Sequence, residues 1–151
     1  MEDLAEAALG ASGQAVADAL TQALDGAPNA GVGVGRFLDM TAASFESGCG
    51  GCPVAPTALE SPLISSRLRV AAVRCFDSWE ARIAQRLRAD GWPDDLVPEA
   101  ASASLALIEG ALLVAKVSGQ LDHLADAKRA ALVLLATPSD QRAWSTRSEA
   151  R

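Results

Sequence analysis

Gly48-Cys49-Gly50-Gly51-Cys52-Pro53-Val54-Ala55-Pro56-Thr57-Ala58-Leu59-Glu60 interrupts a chain that otherwise reads as helix, and its interpretation decides the fold. Glycine and proline are costly in helix interiors, so the stretch marks a junction between two helices. It also holds two of the three cysteines as C-x-x-C, a spacing compatible with a redox pair or half a metal site. Thioredoxin-type chemistry needs that motif at a helix N-terminus within a βαβ unit, and no strand is predicted. A structural zinc site needs four ligands, so Cys75 and His123 would both have to converge on Cys49 and Cys52. A tight junction in which Pro53 starts the next turn is the expectation. A strained disulfide acting as an oxidation switch is the alternative. No metal and no cofactor are expected.

Composition narrows the class. The 151 residues suit one domain, 1–138, followed by a polar, disordered tail over 139–151. Half of the chain is hydrophobic, much of it alanine, and aromatics are only 4%, which favours helix over strand. A net charge of −6 argues against this segment neutralising nucleic-acid phosphates itself. Three cysteines do not make an even disulfide framework, which fits a reducing cytosol. The first twenty residues carry Glu2, Asp3, Glu6 and Asp18 and no basic cluster, so no signal peptide is visible. The longest apolar run, Leu105 to Val117, is broken by Glu109 and is too short to span a bilayer. The expectation is a cytoplasmic all-α domain with no membrane partner.

Apolar spacing outlines five substantial helices. Leu9, Val16, Leu20 and Leu24 define the first, which stops at Gly26-Ala27-Pro28-Asn29. The second covers Ala30 to Ser47, with Val34, Phe37, Leu38, Thr41 and Phe45 on one face. Gly31, Gly33 and Gly35 weaken its first turns and lack the spacing and preceding strand of a nucleotide loop. The third runs from Pro62 or Ser66 to Ala89 with a stripe of Leu68, Ala72, Val73, Phe76, Trp79, Ile83 and Leu87, and its arginines largely off that stripe. Asp94 or Asp95 caps the fourth, where Pro98 and Glu99 are tolerated early. That helix is apolar almost all round up to Val117, and Ser118-Gly119 closes it. The last, Leu121 to Ala136, places Leu121, Leu124, Leu132 and Leu135 on one side.

Two consecutive C-terminal helices that are apolar on more than one face suggest an antiparallel bundle of five to six helices that dimerises. Ala103, Ala106, Gly110 and Val117 form a stripe of small or modest residues along the fourth helix, suited to close approach by a partner helix. Leu105, Ile108, Leu112 and Ala115 point to the domain's own core. Leu124 and Leu132 complete the dimer face from the last helix. Glu109 is the one charge in the apolar run, and a carboxylate there must be paired, hydrogen-bonded or at an interface. An arginine from the preceding helix is the expected partner, with a ligand or cross-dimer contact as alternatives. His123 is expected to be exposed. Catalysis has no support, because no Ser/His/Asp set stands in plausible order and there is one histidine.

Gly51-Cys52-Pro53-Val54-Ala55-x-x-Ala58-Leu59-Glu60, then Phe76-x-x-Trp79, then Leu107-Ile108-Glu109-Gly110-Ala111-Leu112-x-x-Ala115 resembles the C-terminal domain of TetR-family transcriptional regulators, of the LmrA/YxaF type. The resemblance covers Met1 to Ala136. It implies an effector-binding and dimerisation domain whose last two helices pack against those of a second subunit. In such a sensor the core is also the pocket wall, so Met40, Phe45, Phe76, Trp79, Ile108 and Leu112 are the candidate ligand contacts. Trp79 and Phe76 could stack on a flat ligand, and Met40 adapts to its shape. The implied partners are a second copy of the chain and a small hydrophobic or aromatic effector. Operator DNA would be reached only through an N-terminal helix-turn-helix that this sequence does not contain. Met1-Glu2-Asp3-Leu4 resembles the point just past the recognition helix. The expected function is the sensing half of a repressor. Alternatives are a headless interaction protein that pairs with intact regulators, or a cysteine-based redox sensor.

Overall fold

A computed structural model describes residues 2–48, 50–57, 59 and 66–136. They form α1 (Glu2–Leu24), α2 (Ala30–Glu46), α3 (Ser66–Ala89), α4 (Val97–Ser118) and α5 (Asp122–Leu134). One more helical turn lies at 55–57, and no strand occurs among the described residues. The all-helical bundle expected from the apolar spacing is therefore the fold. α1 packs on α2 and α3, α2 also on α5, α5 on α4, and α4 on α3, which closes a ring of helices. Its centre is filled by Leu20, Val34, Leu38, Trp79, Ile83 and Leu87, each almost fully buried.

Small residues set how closely the helices approach. At the α1–α3 crossing, a Cβ added to Gly13 would lie 2.2 Å from Cys75 Sγ. The same crossing carries a hydrogen bond of 2.9 Å from Trp79 Nε1 to the Gly13 carbonyl. The three glycines opening α2 play a similar part. A Cβ on Gly31 would meet the Ala131 carbonyl of α5 at 2.9 Å, one on Gly35 would meet Lys128 Cγ at 3.1 Å, and one on Gly33 would meet Leu24 at 2.7 Å. Their cost in helix propensity is thus exchanged for close packing against α5 on one side and α1 on the other.

The α1–α2 corner is held by α3. Arg86 donates to the Leu24 carbonyl at 2.8 Å, to the Ala27 carbonyl at 2.7 Å and to Asp90 at 2.9 Å. Asp90 in turn accepts the Ala30 backbone N–H at the start of α2. One ion pair thereby satisfies groups left open at the C-terminus of α1 and the N-terminus of α2. Asn29 completes that N-terminus as an extended N-cap whose side chain accepts the Val32 N–H at 2.9 Å.

Several expectations from spacing need correction. The N-cap of α4 is Leu96, with no side-chain capping bond, because the Pro93 carbonyl already takes the Leu96 and Val97 N–H groups. Asp94 instead faces Arg88 at 3.6 Å. Val73 is exposed although it was placed on the buried stripe of α3, since Ala71 and Ala72 carry that turn inward. α5 buries Leu124, Ala127, Ala131 and Leu135, and Leu132 falls on its outer side. Leu124, expected at the dimer face, is a core residue. α4 is a 22-residue helix, long and apolar enough by length and composition to cross a membrane, unlike the shorter run Leu105 to Val117 taken alone. Its inner stripe of Val97, Ala101, Ile108, Leu112 and Ala115 lies in the core of the bundle. The expected tail falls outside the described residues, as does any helical start before Ser66.

Two predictions follow from this packing. Gly10→Ala, on the same helix as Gly13 but with open space around it, should raise stability by about 0.5–1 kcal/mol through helix propensity. Gly13→Ala should lower it by about 1–3 kcal/mol, because overpacking outweighs that gain. Urea denaturation of the two variants checks the opposite signs. Arg86→Ala should cost on the order of 3 kcal/mol, because it strands the buried Asp90 carboxylate. The same urea midpoints would refute this if Arg86→Ala behaved like a surface substitution.

Candidate functional site

The junction segment folds down onto α4. Gly51 adopts φ 110, a conformation that disfavours any side chain. A Cβ on Gly50 would overlap the ring of Phe45, which clamps the segment from the end of α2. Lys116 fixes the other side by donating to the Gly50 carbonyl at 3.0 Å. Cys52 then turns its sulfur inward, where it accepts the N–H groups of Val54 at 3.4 Å and Ala55 at 3.2 Å. The thiol therefore caps the helical turn that Pro53 starts, and Val54 is fully buried beneath it.

Beside this turn lies a partly open cavity of about 40 Å³. Its apolar walls are Phe37 of α2, Trp79 of α3, Leu105, Ile108 and Leu112 of α4, and Pro53. Thr41, Cys52 and Glu109 supply polar atoms. A larger open groove of about 370 Å³ adjoins it, sharing Val16, Phe37, Thr41, Gly51 and Pro53 and lined further out by Met40. Of the six candidate ligand contacts, Trp79, Ile108 and Leu112 thus line the inner cavity and Met40 the outer groove. Phe45 and Phe76 line neither. Phe45 is held over Gly50, and Phe76 stands edge-on to Trp79 with ring centroids 5.2 Å apart. Sequence reasoning missed Val16, Phe37, Thr41 and Leu105 as wall residues. Their helical spacing marked core positions, which carry no signal separating a filled core from a cavity wall.

Glu109 has no arginine partner among the described residues. Four arginines of α3 are directed elsewhere: Arg67 to Asp3 and Glu6, Arg82 to Thr21 and Ser78, Arg86 to the α1–α2 corner and Arg88 to Asp94. Glu109 instead lines the cavity beside Cys52, whose sulfur accepts the Val54 and Ala55 N–H groups. Burial pushes the Glu109 carboxyl above its ordinary value, and the thiol only partly offsets this. Burial also pushes the Cys52 thiol up to about 12, with the adjacent Glu109 charge adding to the effect. A thiol held so firmly protonated is a poor nucleophile, which weighs against redox chemistry at Cys52. Cys49 and Glu60 lie outside the described residues. No cluster of His, Cys, Asp and Glu suited to a metal occurs among the described residues.

A second feature occupies the outer side of α4 and α5. Ala103, Ala106 and Gly110 are exposed there, and Val117 is 81% exposed. Leu113, Val114, Leu132, Val133 and Leu134 add further exposed apolar surface. A shallow groove of about 390 Å³ runs between the two helices, lined by Ala106, Gly110, Val114, Ala130 and the half-buried His123.

The raised Glu109 carboxyl has a pH consequence. The folded state holds this proton more tightly than the unfolded chain does. The stability it contributes is therefore fully present below about 4.5 and is lost as pH rises through the raised folded value. Glu109→Gln should remove that component and leave a flatter stability profile just above pH 4.5, measured by urea unfolding across pH. Identical profiles for the two proteins would contradict it.

Residues 32–130 match the family described as transcriptional regulator LmrA/YxaF-like, C-terminal domain. The chain is 29% identical over 115 residues to YxaF of Bacillus subtilis (strain 168), an uncharacterized HTH-type transcriptional regulator, covering 75% of this chain and 60% of that protein. It is 38% identical over 79 residues to the uncharacterized HTH-type transcriptional regulators MT0206 and Rv0196 of two Mycobacterium tuberculosis strains, covering 49% of this chain and 41% of each of them. The chain thus spans well under two-thirds of the length of the relatives it matches. With its ring of helices, its glycine–cysteine–proline junction and its matched span together, the chain belongs to the LmrA/YxaF-like group of TetR-type transcriptional regulators, as their C-terminal domain.

Proposed function

We propose that this domain senses a small hydrophobic or aromatic effector and pairs with a second copy of itself, as the regulatory part of a cytoplasmic repressor. The observation that carries this is the cavity walled by Trp79, Ile108 and Leu112, with the outer groove beside it under Met40. Ligand sites of this kind are concave and mostly apolar, with a few polar groups that orient the ligand. The exposed apolar side of α4 and α5 supports pairing. DNA recognition is assigned to the helix-turn-helix that the relatives' names carry, and the acidic chain itself is not expected to hold an operator. An effector would act by preferring one of two arrangements of the paired domains, since equal affinity for both shifts nothing. The family's role in transcription regulation gives no support to an enzymatic reading.

A thermal-shift panel of small aromatic compounds tests the sensing half. A true effector at about 100 times its dissociation constant adds about 2.7 kcal/mol, a shift of several degrees for a domain of this size. Met40→Ala should weaken that response without lowering the melting temperature of the free protein by more than about 1 °C. Sedimentation equilibrium tests the pairing half: the parent chain should run as a dimer, and Gly110→Glu should run as a folded monomer. A monomeric parent chain with no response to any compound would overturn the proposal.

A further inference from the structure

The walls of the inner cavity are chemically one-sided. Thr41 Oγ1 donates to the Leu38 carbonyl at 2.8 Å and Trp79 Nε1 donates to the Gly13 carbonyl at 2.9 Å. The strong side-chain donors lining the cavity are therefore already committed, and the Cys52 thiol beside Glu109 is a weak one. Acceptors remain, because an ionised carboxylate offers about four lone-pair sites. Among the described residues, no lysine or arginine forms an ion pair with Glu109. Lys116, two turns further along α4, is directed to the Gly50 carbonyl. Phe37 and Trp79 contribute aromatic surface, which also favours a cation.

Size points the same way. The inner cavity of about 40 Å³ admits a small head group. The adjoining groove of about 370 Å³, walled by Val16, Phe37, Met40 and Pro53, has room for an apolar body. A half-buried carboxylate without a cation is an expensive arrangement, and a ligand that brings a positive charge relieves it.

We infer that the ligand class of this site is a hydrophobic primary amine, its ammonium group seated against Glu109 in the inner cavity and its apolar body in the groove beside Met40. The inference rests on the sensing role proposed above. An ammonium group supplies the donors that the cavity walls lack. A carboxylate ligand would face Glu109 with like charge, and a neutral alcohol would supply one donor and no charge.

Calorimetric titration of the full chain with 2-phenylethylamine, 2-phenylethanol and 3-phenylpropanoate tests this. The amine should bind about tenfold more tightly than the alcohol, a difference of about 1.4 kcal/mol, and the carboxylate should not bind detectably. Glu109→Gln, nearly isosteric and checked for folding by its melting curve, should erase the amine's advantage while leaving alcohol binding intact. Glu109→Asp should retain the preference at reduced affinity. Equal binding of amine and alcohol, or an amine preference that survives Glu109→Gln, would overturn the ligand class and leave the sensing role standing. Binding of none of the three while another aromatic compound shifts the melting temperature would do the same. No binding by any compound would overturn both.

Discussion

The bundle depends on one ion pair at the end of α3. Arg86 lies in the last turn of α3 and Asp90 just past its end, four residues on, so the end of the helix preorganises the pair. From there they reach two carbonyls at the C-terminal end of α1 and its turn, and one amide that opens α2. Both helix ends would otherwise leave polar backbone groups without partners in a crowded corner. With that corner fixed, α1 and α2 leave α3 at set directions. The remaining helices then close the ring by apolar packing, which is strong but carries little directional information.

From the fixed corner the chain runs to a more permissive region. α1, α2 and α3 converge on Trp79, whose indole nitrogen is held by the Gly13 carbonyl while its ring faces the cavity. The junction segment lies across the same space, clamped by Phe45 and Lys116 and turned inward at Cys52. Glu109 meets it from α4. The polar content of the cavity thus comes from three elements, with Thr41 on α2, Cys52 in the junction and Glu109 on α4, that meet only in the folded chain. The carboxyl is held there against its preference for water, beside one thiol. Carboxyls shifted in this way cluster at functional sites and in structural networks alike.

Helices were legible from spacing because an amphipathic helix writes its inner face into the sequence every three or four residues. The stripe of Leu9, Leu20 and Leu24, the Val34–Phe37–Leu38 face and the Trp79–Ile83–Leu87 face are buried as read. Where the reading slipped, a competing effect was at work. Leu132 and Val73 fit a helical repeat yet lie on the outside, since a stripe of period 3.6 drifts and neighbours decide where it ends. Asp94 and Asp95 had the chemistry of a cap, but the turn after Pro93 had already satisfied the amides. Glu109 was recognised as needing a partner. Its actual neighbour could not be read, because Cys52 lies far away in sequence and Arg86 was claimed by contacts of equally long range.

The sequence by itself determined the helical class, the approximate bounds of each helix, and the place of the glycine–cysteine–proline junction between two of them. These are local properties, carried by propensity, periodicity and turn chemistry within a few residues of one another. The tertiary structure decided which glycines are packing positions, which arginine anchors the corner, and that Cys52 and Glu109 face each other inside an apolar cavity. It also divided the candidate pocket residues, putting Trp79, Ile108 and Leu112 on the inner cavity, Met40 on the groove, and Phe45 and Phe76 in supporting roles. Those outcomes depend on contacts between residues tens of positions apart, which are fixed only when the ring of helices closes.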